Sequence, residues 1–518
     1  MSLRIGLDVG GTNTDAVVLD HGDRLVAKAK RPTTPDVTGG LLAALDAVLG
    51  EVDPAAITRI MLGTTHATNA ILERRGLGRV AVIRLGAPAT TSVPPLSDWP
   101  GDLRATVSAG EAVLPGGHFV DGYPISPLDL GAVRRFLDGR DADAVAVTGV
   151  FSPASAEQER AVAELVTREY GLPVSLSHEL GSLGLLEREN ATVLNAALYG
   201  VADRVTGALT SALESRGLSA LPYLAQNDGT LMTLEQARRL PVSTIGSGPA
   251  NSLRGAAFLS GAQDAIVADV GGTSTDLGVL VGGFPRESTA ATEIGGVLTN
   301  FRMPDILAIA LGGGSVIGPG PSVGPESVGY RIAELALAFG GGVPTLTDAG
   351  ILAGRGQELG RAWEAGELGR AWEAGELEAL LTEALKVSDA MVEDAVDRMT
   401  LGRTGRPLVA VGGGAFLLPA SIPGVSGVLR PRHAEVANAV GAAIALASGR
   451  VDTILPAGQN RAERIEAAKT EAAARAVQAG ADPGGVEIVD LYEIPLSYLS
   501  EPAVRLHVKA AGPLKPNR

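Results

Sequence analysis

The 518-residue chain contains no cysteine, and that absence excludes disulfides, thiolate metal sites and a cysteine nucleophile. Aromatic residues are only 3% of the sequence, so the cores have to be filled by Ala, Val, Leu and Ile. Histidine is scarce as well. The six present form no spaced ligand set of the HExxH kind, and His66, His178 and His433 earn no zinc assignment. His118 and Asp121, in GGHFVDG (116–122), are too few for a metal site and read as turn residues. No GxxxxGK-S/T phrase occurs, which removes the P-loop class of phosphate binder.

Long apolar runs are also missing. The longest candidate, VANAVGAAIALA (436–447), is short, is interrupted by Asn438, and reads as a buried helix rather than a membrane span. The opening MSLRIGLDVGG enters a strand pattern without a basic segment or apolar leader, so a cytoplasmic protein is expected. A formal charge of −15 argues against nucleic acid or an anionic membrane as principal partner.

What is present is a phrase written twice. DVGGTNTD occupies residues 8–15 and DVGGTSTD residues 269–276, identical at seven of eight positions. Each copy joins two strand patterns. LRIGLDV (3–9), TDAVVLD and LVAKAKRP (25–32) predict an antiparallel meander, because such short connections cannot make a parallel crossover. A helical stripe follows over 36–49, then alternating strand and helix patterns at ITRIMLG, RVAVIRLG, DAVAVTGV and PVSLSH. The second half repeats the opening with AIVADV (265–270), TDLGVLV and RESTA (286–290).

The layout predicts an α/β protein: two duplicated ribonuclease H-like domains around a nucleotide cleft, plus a small C-terminal α+β appendage. The expected divisions are 1–182, 183–450 and 451–518. Residues 183–215 read as one long helix between the halves. ELGRAWEAG, repeated in tandem at 358–375, is too short an array for a solenoid and reads as a surface duplication before a helix at 376–399.

A glycine pair between two strands is neither a Rossmann loop, which leads into a helix, nor a P-loop. It leaves backbone N–H groups uncovered, able to cradle phosphate oxygens. An aspartate ending the preceding strand tolerates a polyanion only with a cation between them, most simply a water-rich Mg²⁺. Two such hairpins, one per half, can close on a nucleotide from opposite sides. A third cluster in PLVAVGGGAFLLP (407–419) permits close approach of a base or ribose.

Two phosphate loops and a late VGGGA, in that order, resemble the actin/sugar kinase/heat-shock ATPase superfamily. GTTHATNAILERRG (63–76), LLERENATVLNAAL (185–198), SGPANSLRGA (247–256), LGGGS (311–315) and PRHAEVANAVGAA (431–443) narrow the resemblance to the hydantoinase/5-oxoprolinase family, A-subunit type. That resemblance implies ATP and Mg²⁺ as cofactors and a cyclic amide, a hydantoin or 5-oxoproline, as substrate. ATP phosphorylates the carbonyl oxygen and water opens the ring. It also implies a separate B-type partner subunit, and it leaves a homo-oligomer open.

Carried over by position, Asp8 and Asp269 are the expected catalytic and metal-holding acids. Gly10, Gly11, Thr12, Asn13 and Thr14 would cradle phosphates from one side, and Gly271, Gly272, Thr273 and Ser274 from the other. Gly412, Gly413 and Gly414 would line the adenosine site, and Thr64, Thr65 and Asn69 would face substrate or the γ-phosphate, helix N-capping by Thr65 or Thr68 explaining part of that phrase equally well. For Asp15 and Asp276, hairpin stabilisation and catalysis both remain open readings. The resemblance departs after LGGGS, where residues 319–342 carry a helix-like insert and no cysteine-containing phrase. The chain is also shorter than the fused oxoprolinases.

Three alternatives stand beside the hydrolase: a small-molecule kinase, a subunit of an ATP-dependent ketone carboxylase, and a chaperone-like or filament-forming ATPase. Kinases of the superfamily lack the GTTHATNA and SGPANSLRGA phrases. The last segment is too short for a heat-shock-type peptide-binding domain.

Overall fold

The computed structural model describes residues 2–11, 13–33, 37–181, 183–288, 291–356, 374–402, 405–456, 460–496 and 502–515. Thr12 and nearly all of the tandem repeat lie outside the described residues.

Three sheets organise the chain. The largest has nine strands, and its working half begins with the predicted meander: Leu3–Val9, Asn13–Leu19 and Leu25–Pro32, consecutive strands pairing antiparallel. On its other side Leu3–Val9 pairs in parallel with Ile57–Thr64, which pairs in parallel with Leu221–Ala225. The crossover into Ile57–Thr64 is the helix Val37–Leu49, as its apolar stripe requires. The second sheet repeats this arrangement. Ala265–Val270 forms an antiparallel hairpin with Thr275–Val281 and runs parallel to Leu408–Val411, reached through the long helix Ala374–Thr400.

The copies differ at the third strand. The predicted strand at 286–290 is not the main partner of the second hairpin. Phe284–Pro285 pairs for two residues only, and Ile306–Ile309 takes the place beside Thr275–Val281. Pro285 has no N–H to donate, so a ladder cannot run through it.

Strand pairing also crosses the expected divisions at 182 and 450. Val80–Ala87, Ser108–Pro115, Ala144–Gly149 and Val174–Leu176 form a separate parallel sheet inserted into the first half. Leu221–Ala225, beyond residue 182, belongs to the nine-stranded sheet, as do Ala447–Pro456, Ala503–Gly512 and Glu487–Leu496. The C-terminal segment thus extends the first sheet, with the helix Arg461–Gln478 laid on it through Ala468, Ala472 and Ala476.

The single helix expected over 183–215 is two, Leu185–Ala197 and Tyr199–Glu214, interrupted at Leu198. The polar side of the first is buried. Glu189 takes Arg84 in a bidentate pair at 2.6 and 2.7 Å, Asn190 accepts from the Trp99 indole at 2.7 Å, and Arg188 donates to the Gly149 carbonyl at 2.6 Å. Charges rarely sit in a core unless so paired, and here they fasten the inserted sheet to the rest.

Between the nine-stranded sheet and the second sheet lie two helices, Ser247–Ser260 and Ala437–Ile444. The former packs Leu253, Ala256 and Ala257 on the second sheet, and the latter packs Ala439, Val440 and Ala443 against the first. Their backbones touch. A Cβ on Gly255 would fall 1.8 Å from the Ala437 carbonyl oxygen, and one on Gly441 equally close, 1.8 Å, to that of Asn251. Only glycine permits that approach, and it brings the two hairpins to one cleft.

Candidate active site

Both hairpins turn in the same way. The Gly10 amide donates to the Asn13 carbonyl at 3.0 Å, and the Gly271 amide to the Ser274 carbonyl at 2.9 Å. The ladder then sets Asp8 opposite Asp15 and Asp269 opposite Asp276. A cavity of about 310 Å³ separates the tips. Gly10, Gly11, Asn13, Asp15 and Lys30 line it from the first sheet, and Asp269, Gly271, Gly272 and Gly412–Gly414 from the second.

The interlayer helices hold the acids. Asp8 is 3% exposed and accepts from the Asn438 amide at 3.0 Å and from Asn251 at 3.4 Å. The Ser252 hydroxyl donates to Asp269. Each acid is also backed by a glycine of the neighbouring parallel strand or the loop after it. A Cβ at Gly63 would come within 2.2 Å of the Asp8 carboxylate, and one at Gly412, with φ +86°, within 2.3 Å of that of Asp269. There is no room for a side chain behind either carboxylate.

Burial pushes Asp8 up to about 7, helped by the charges of Asp15 and Asp269 and opposed by its two amide partners. Burial and then the Asp269 charge push Asp276 up to about 7 as well. Asp15 and Asp269 are raised by burial, with Lys30 opposing in both cases. The Asp269 charge reaches Asp8 although the two acids lie in different halves of the sequence.

Asp15, Asp269 and Glu435 line the cleft with Lys30, which leaves it short of positive charge, whereas the predicted Asp8, like Asp276, does not line it. Hard oxygen donors beside uncovered glycine amides fit a hydrated Mg²⁺ bridging to phosphates, a site that takes one or two carboxylates rather than an all-protein cage. Among the described residues there is no group of three or more His, Asp or Glu that could hold a metal ion by itself.

The sequence-predicted residues do not all meet at the cavity. Gly10, Gly11, Asn13, Gly271, Gly272, Gly412, Gly413 and Gly414 line it. Thr14 is fully buried, its hydroxyl 3.3 Å from that of Thr33, and it does not line the cavity. Thr273 and Ser274 are exposed beyond the lining, and Thr12 lies outside the described residues. In a hairpin alternate side chains face opposite sides of the sheet, so the threonine before each closing aspartate turns away from it.

Thr65 and Asn69 line a second cavity of about 420 Å³ together with His66, and this cavity shares Gly10 and Gly11 with the first. Thr64 is buried beside it, contacting the His66 ring and accepting from Ser247 through its carbonyl at 3.2 Å. Burial lowers the His66 pKa, which favours the neutral imidazole.

Sequence reasoning missed Lys30, Asn251, Ser252 and Asn438. The signal was available: Asn251 and Asn438 are amides in otherwise small, apolar helical stretches, where a buried polar group needs a partner.

With this geometry in hand, comparison places the chain among known proteins. Residues 4–170 match the family model for the hydantoinase/oxoprolinase N-terminal region, and residues 188–451 that for hydantoinase/oxoprolinase. The chain belongs to the hydantoinase/oxoprolinase family. It is 29% identical over 391 residues to the acetophenone carboxylase gamma subunit of Aromatoleum aromaticum, covering 68% of this chain and 53% of that one. Against the caprolactamase subunit alpha of Pseudomonas jessenii it is likewise 29% identical over 391 residues, covering 68% and 54%. The chain thus spans about half the length of these curated relatives.

Among solved structures, the ATP-dependent caprolactamase of P. jessenii superposes with a TM-score of 0.78 at 21% identity, covering 99% of this chain and 88% of that one. Nucleotide-free acetone carboxylase gives 0.71 at 18%, covering 99% and 89%. At these identities the likeness is one of mixed α/β fold. Among the described residues no helix is long and apolar enough to cross a membrane.

Proposed function

We propose that this chain is the ATP-hydrolysing subunit of a cyclic-amide hydrolase, built on two copies of a ribonuclease H-like unit. One observation carries the reading: two acidic, glycine-tipped hairpins face each other across one cavity, and one tip also opens on a second cavity. Backbone amides of the two tips would face the phosphates of ATP, and a bound Mg²⁺ would supply neutralisation of the charge that builds up during transfer. Asp8, oriented by Asn251 and Asn438, would hold the hydrated cation, and Asp269 would orient the reacting group. Gly412–Gly414 approach the adenosine.

The acceptor sits in the second cavity with Thr65, His66 and Asn69, within reach of the shared Gly10–Gly11 tip. Its amide oxygen takes the phosphoryl group as ADP leaves. Water then adds to the activated carbon, and the C–N bond breaks with a proton passing to nitrogen, leaving an acyl phosphate. A second water cleaves the acyl phosphate to the ring-opened acid and inorganic phosphate. The protein contributes positioning and charge stabilisation. ATP supply sets the reaction in the cytoplasm, and a B-type partner subunit completes it, in keeping with relatives that are themselves named as subunits.

A ketone carboxylase subunit is the second reading, favoured by the equal identity to the acetophenone carboxylase gamma subunit. There an enolate oxygen is the phosphoryl acceptor. ATP turnover measured against hydantoins, 5-oxoproline, lactams and simple ketones, with and without the neighbouring-gene product, separates the readings. Stimulation by a cyclic amide without bicarbonate supports the hydrolase, and bicarbonate-dependent stimulation by a ketone supports the carboxylase. Failure of calorimetry to detect Mg²⁺-dependent nucleotide binding would overturn both.

A further inference from the structure

A second concentration of charge lies away from the nucleotide cleft. The whole chain carries −15, yet four arginines, Arg160, Arg239, Arg450 and Arg475, line one pocket of about 250 Å³. They come from four separate elements: the helices Glu157–Tyr170, Leu234–Arg239 and Arg461–Gln478, and the strand Ala447–Pro456. The pocket therefore lies where the inserted parallel sheet, the nine-stranded sheet and the C-terminal helix meet.

Two acids also line it, and both are engaged. Glu179 faces Arg239 at 3.7 Å. Asp228 is taken by Lys509 at 2.8 Å and by the Thr230 amide at 3.0 Å. Arg475 donates to the Arg450 carbonyl at 2.7 Å and pairs with Glu471. The guanidinium groups of Arg160 and Arg450 have no hydrogen-bond or ion-pair partner among the described residues, although the Arg450 charge lies near enough to act on Asp228 and Glu287. Guanidinium groups drawn from separate elements into one concave site repel one another unless an anion lies between them. Their planar forks suit the paired oxygens of a carboxylate or phosphate.

We propose that this pocket binds a small, multiply charged anion, a di- or tricarboxylate or a phosphomonoester, independently of the nucleotide cleft. Its recognition rests on Arg160 and Arg450, with Arg239 and Arg475 adding long-range attraction. Because no residue of the pocket lines the nucleotide cleft or the acceptor cavity, occupancy can be varied without touching the phosphoryl-transfer machinery.

The test is isothermal titration of the full chain, saturated with ADP and Mg²⁺, with citrate in one arm and inorganic phosphate in the other. One equivalent of at least one probe should bind the wild-type protein. Binding should fall at least tenfold in the R160A/R450A double variant and weaken as salt is added. The preferred probe tells a carboxylate ligand from a phosphate ligand. Arg160 is exposed on its helix, so Arg160→Ala alone should keep the wild-type melting temperature and still weaken the same probe. The proposal is overturned if neither probe binds, or if wild type and double variant bind alike.

Discussion

The two hairpins are near-copies in sequence, yet their surroundings differ. In the first, Lys30 stands opposite Asp15 in the ladder and reaches its carboxylate at 2.7 Å. In the second, the position opposite Asp276 is Ala308, and Asp276 has no ion-pair partner among the described residues. The tips differ too. Gly271 and Gly272 are pinned through their carbonyls, which accept from the Gly313 amide at 2.9 Å and the Gly314 amide at 2.7 Å. At the first tip the Thr33 hydroxyl donates to the Gly10 carbonyl at 2.8 Å, and Gly10 and Gly11 stay open to two cavities. The same loop sequence occurs twice, and its neighbours make one copy a braced wall and the other a tip open to two cavities.

The comparison breaks most visibly at the paired acids. Asp8→Ala and Asp269→Ala should each lower ATP turnover by about 10²–10³-fold or more, because each removes charge positioning where the transition state needs it. Melting temperature should hold, since each substitution thins a cluster of like charges. Wild-type turnover in either variant would show that the hairpins are not the two jaws of one site.

The glycines behind the acids come next. Gly63→Ala and Gly412→Ala both push a methyl against a carboxylate and should cost roughly 1–3 kcal/mol of stability. Gly412→Ala should be the worse, because its φ of +86° also disfavours any side chain. Denaturant titration of the two side by side ranks them, with Gly11→Ala, which meets nothing within 4 Å, as the neutral control.

Exchanging the cation sharpens the contrast. Lys30→Ala should raise the KM for ATP about tenfold, equivalent to about 1.4 kcal/mol. Ala308→Lys should give the second hairpin what it lacks and bring Asp276 down towards the ordinary carboxylate range, readable by carboxylate NMR. An unchanged KM in Lys30→Ala would mean that the lysine serves only to close the hairpin.

The smallest effect concerns pH. Asp276 holds its proton up to about 7 in the folded chain and loses it near the ordinary value of about 4 when unfolded. Between those values the folded state binds more protons, so the contribution of this group to stability falls as pH rises from about 4 to about 7, and is flat above. In nucleotide-free protein, Asp276→Asn should therefore raise the melting temperature at pH 8, by about 1–2 °C, and leave it unchanged near pH 4. Equal shifts at both pH values would rule out the titration.

The local pattern carried much of this. Strand, glycine turn and strand could be read at both hairpins, and so could the close of the first meander, because period-two alternation and Gly-Gly turns are properties of adjacent residues. Sheet membership could not. Val80–Ala87 and Ile57–Thr64 look alike as apolar strands, and only long-range pairing puts them in different sheets. The same holds for Arg84, Glu189 and Asn190, whose burial depends on partners far away in sequence.

By itself, then, the sequence determined the paired acidic turns, the absence of thiol and P-loop chemistry, and the family. Tertiary structure alone decided that Asn251 and Asn438 hold Asp8, that Lys30 serves one hairpin and not the other, and that four distant arginines share a pocket. The physical reason is range. Backbone turns are set within a few residues, whereas the charge state and orientation of a buried group depend on whatever the fold packs against it.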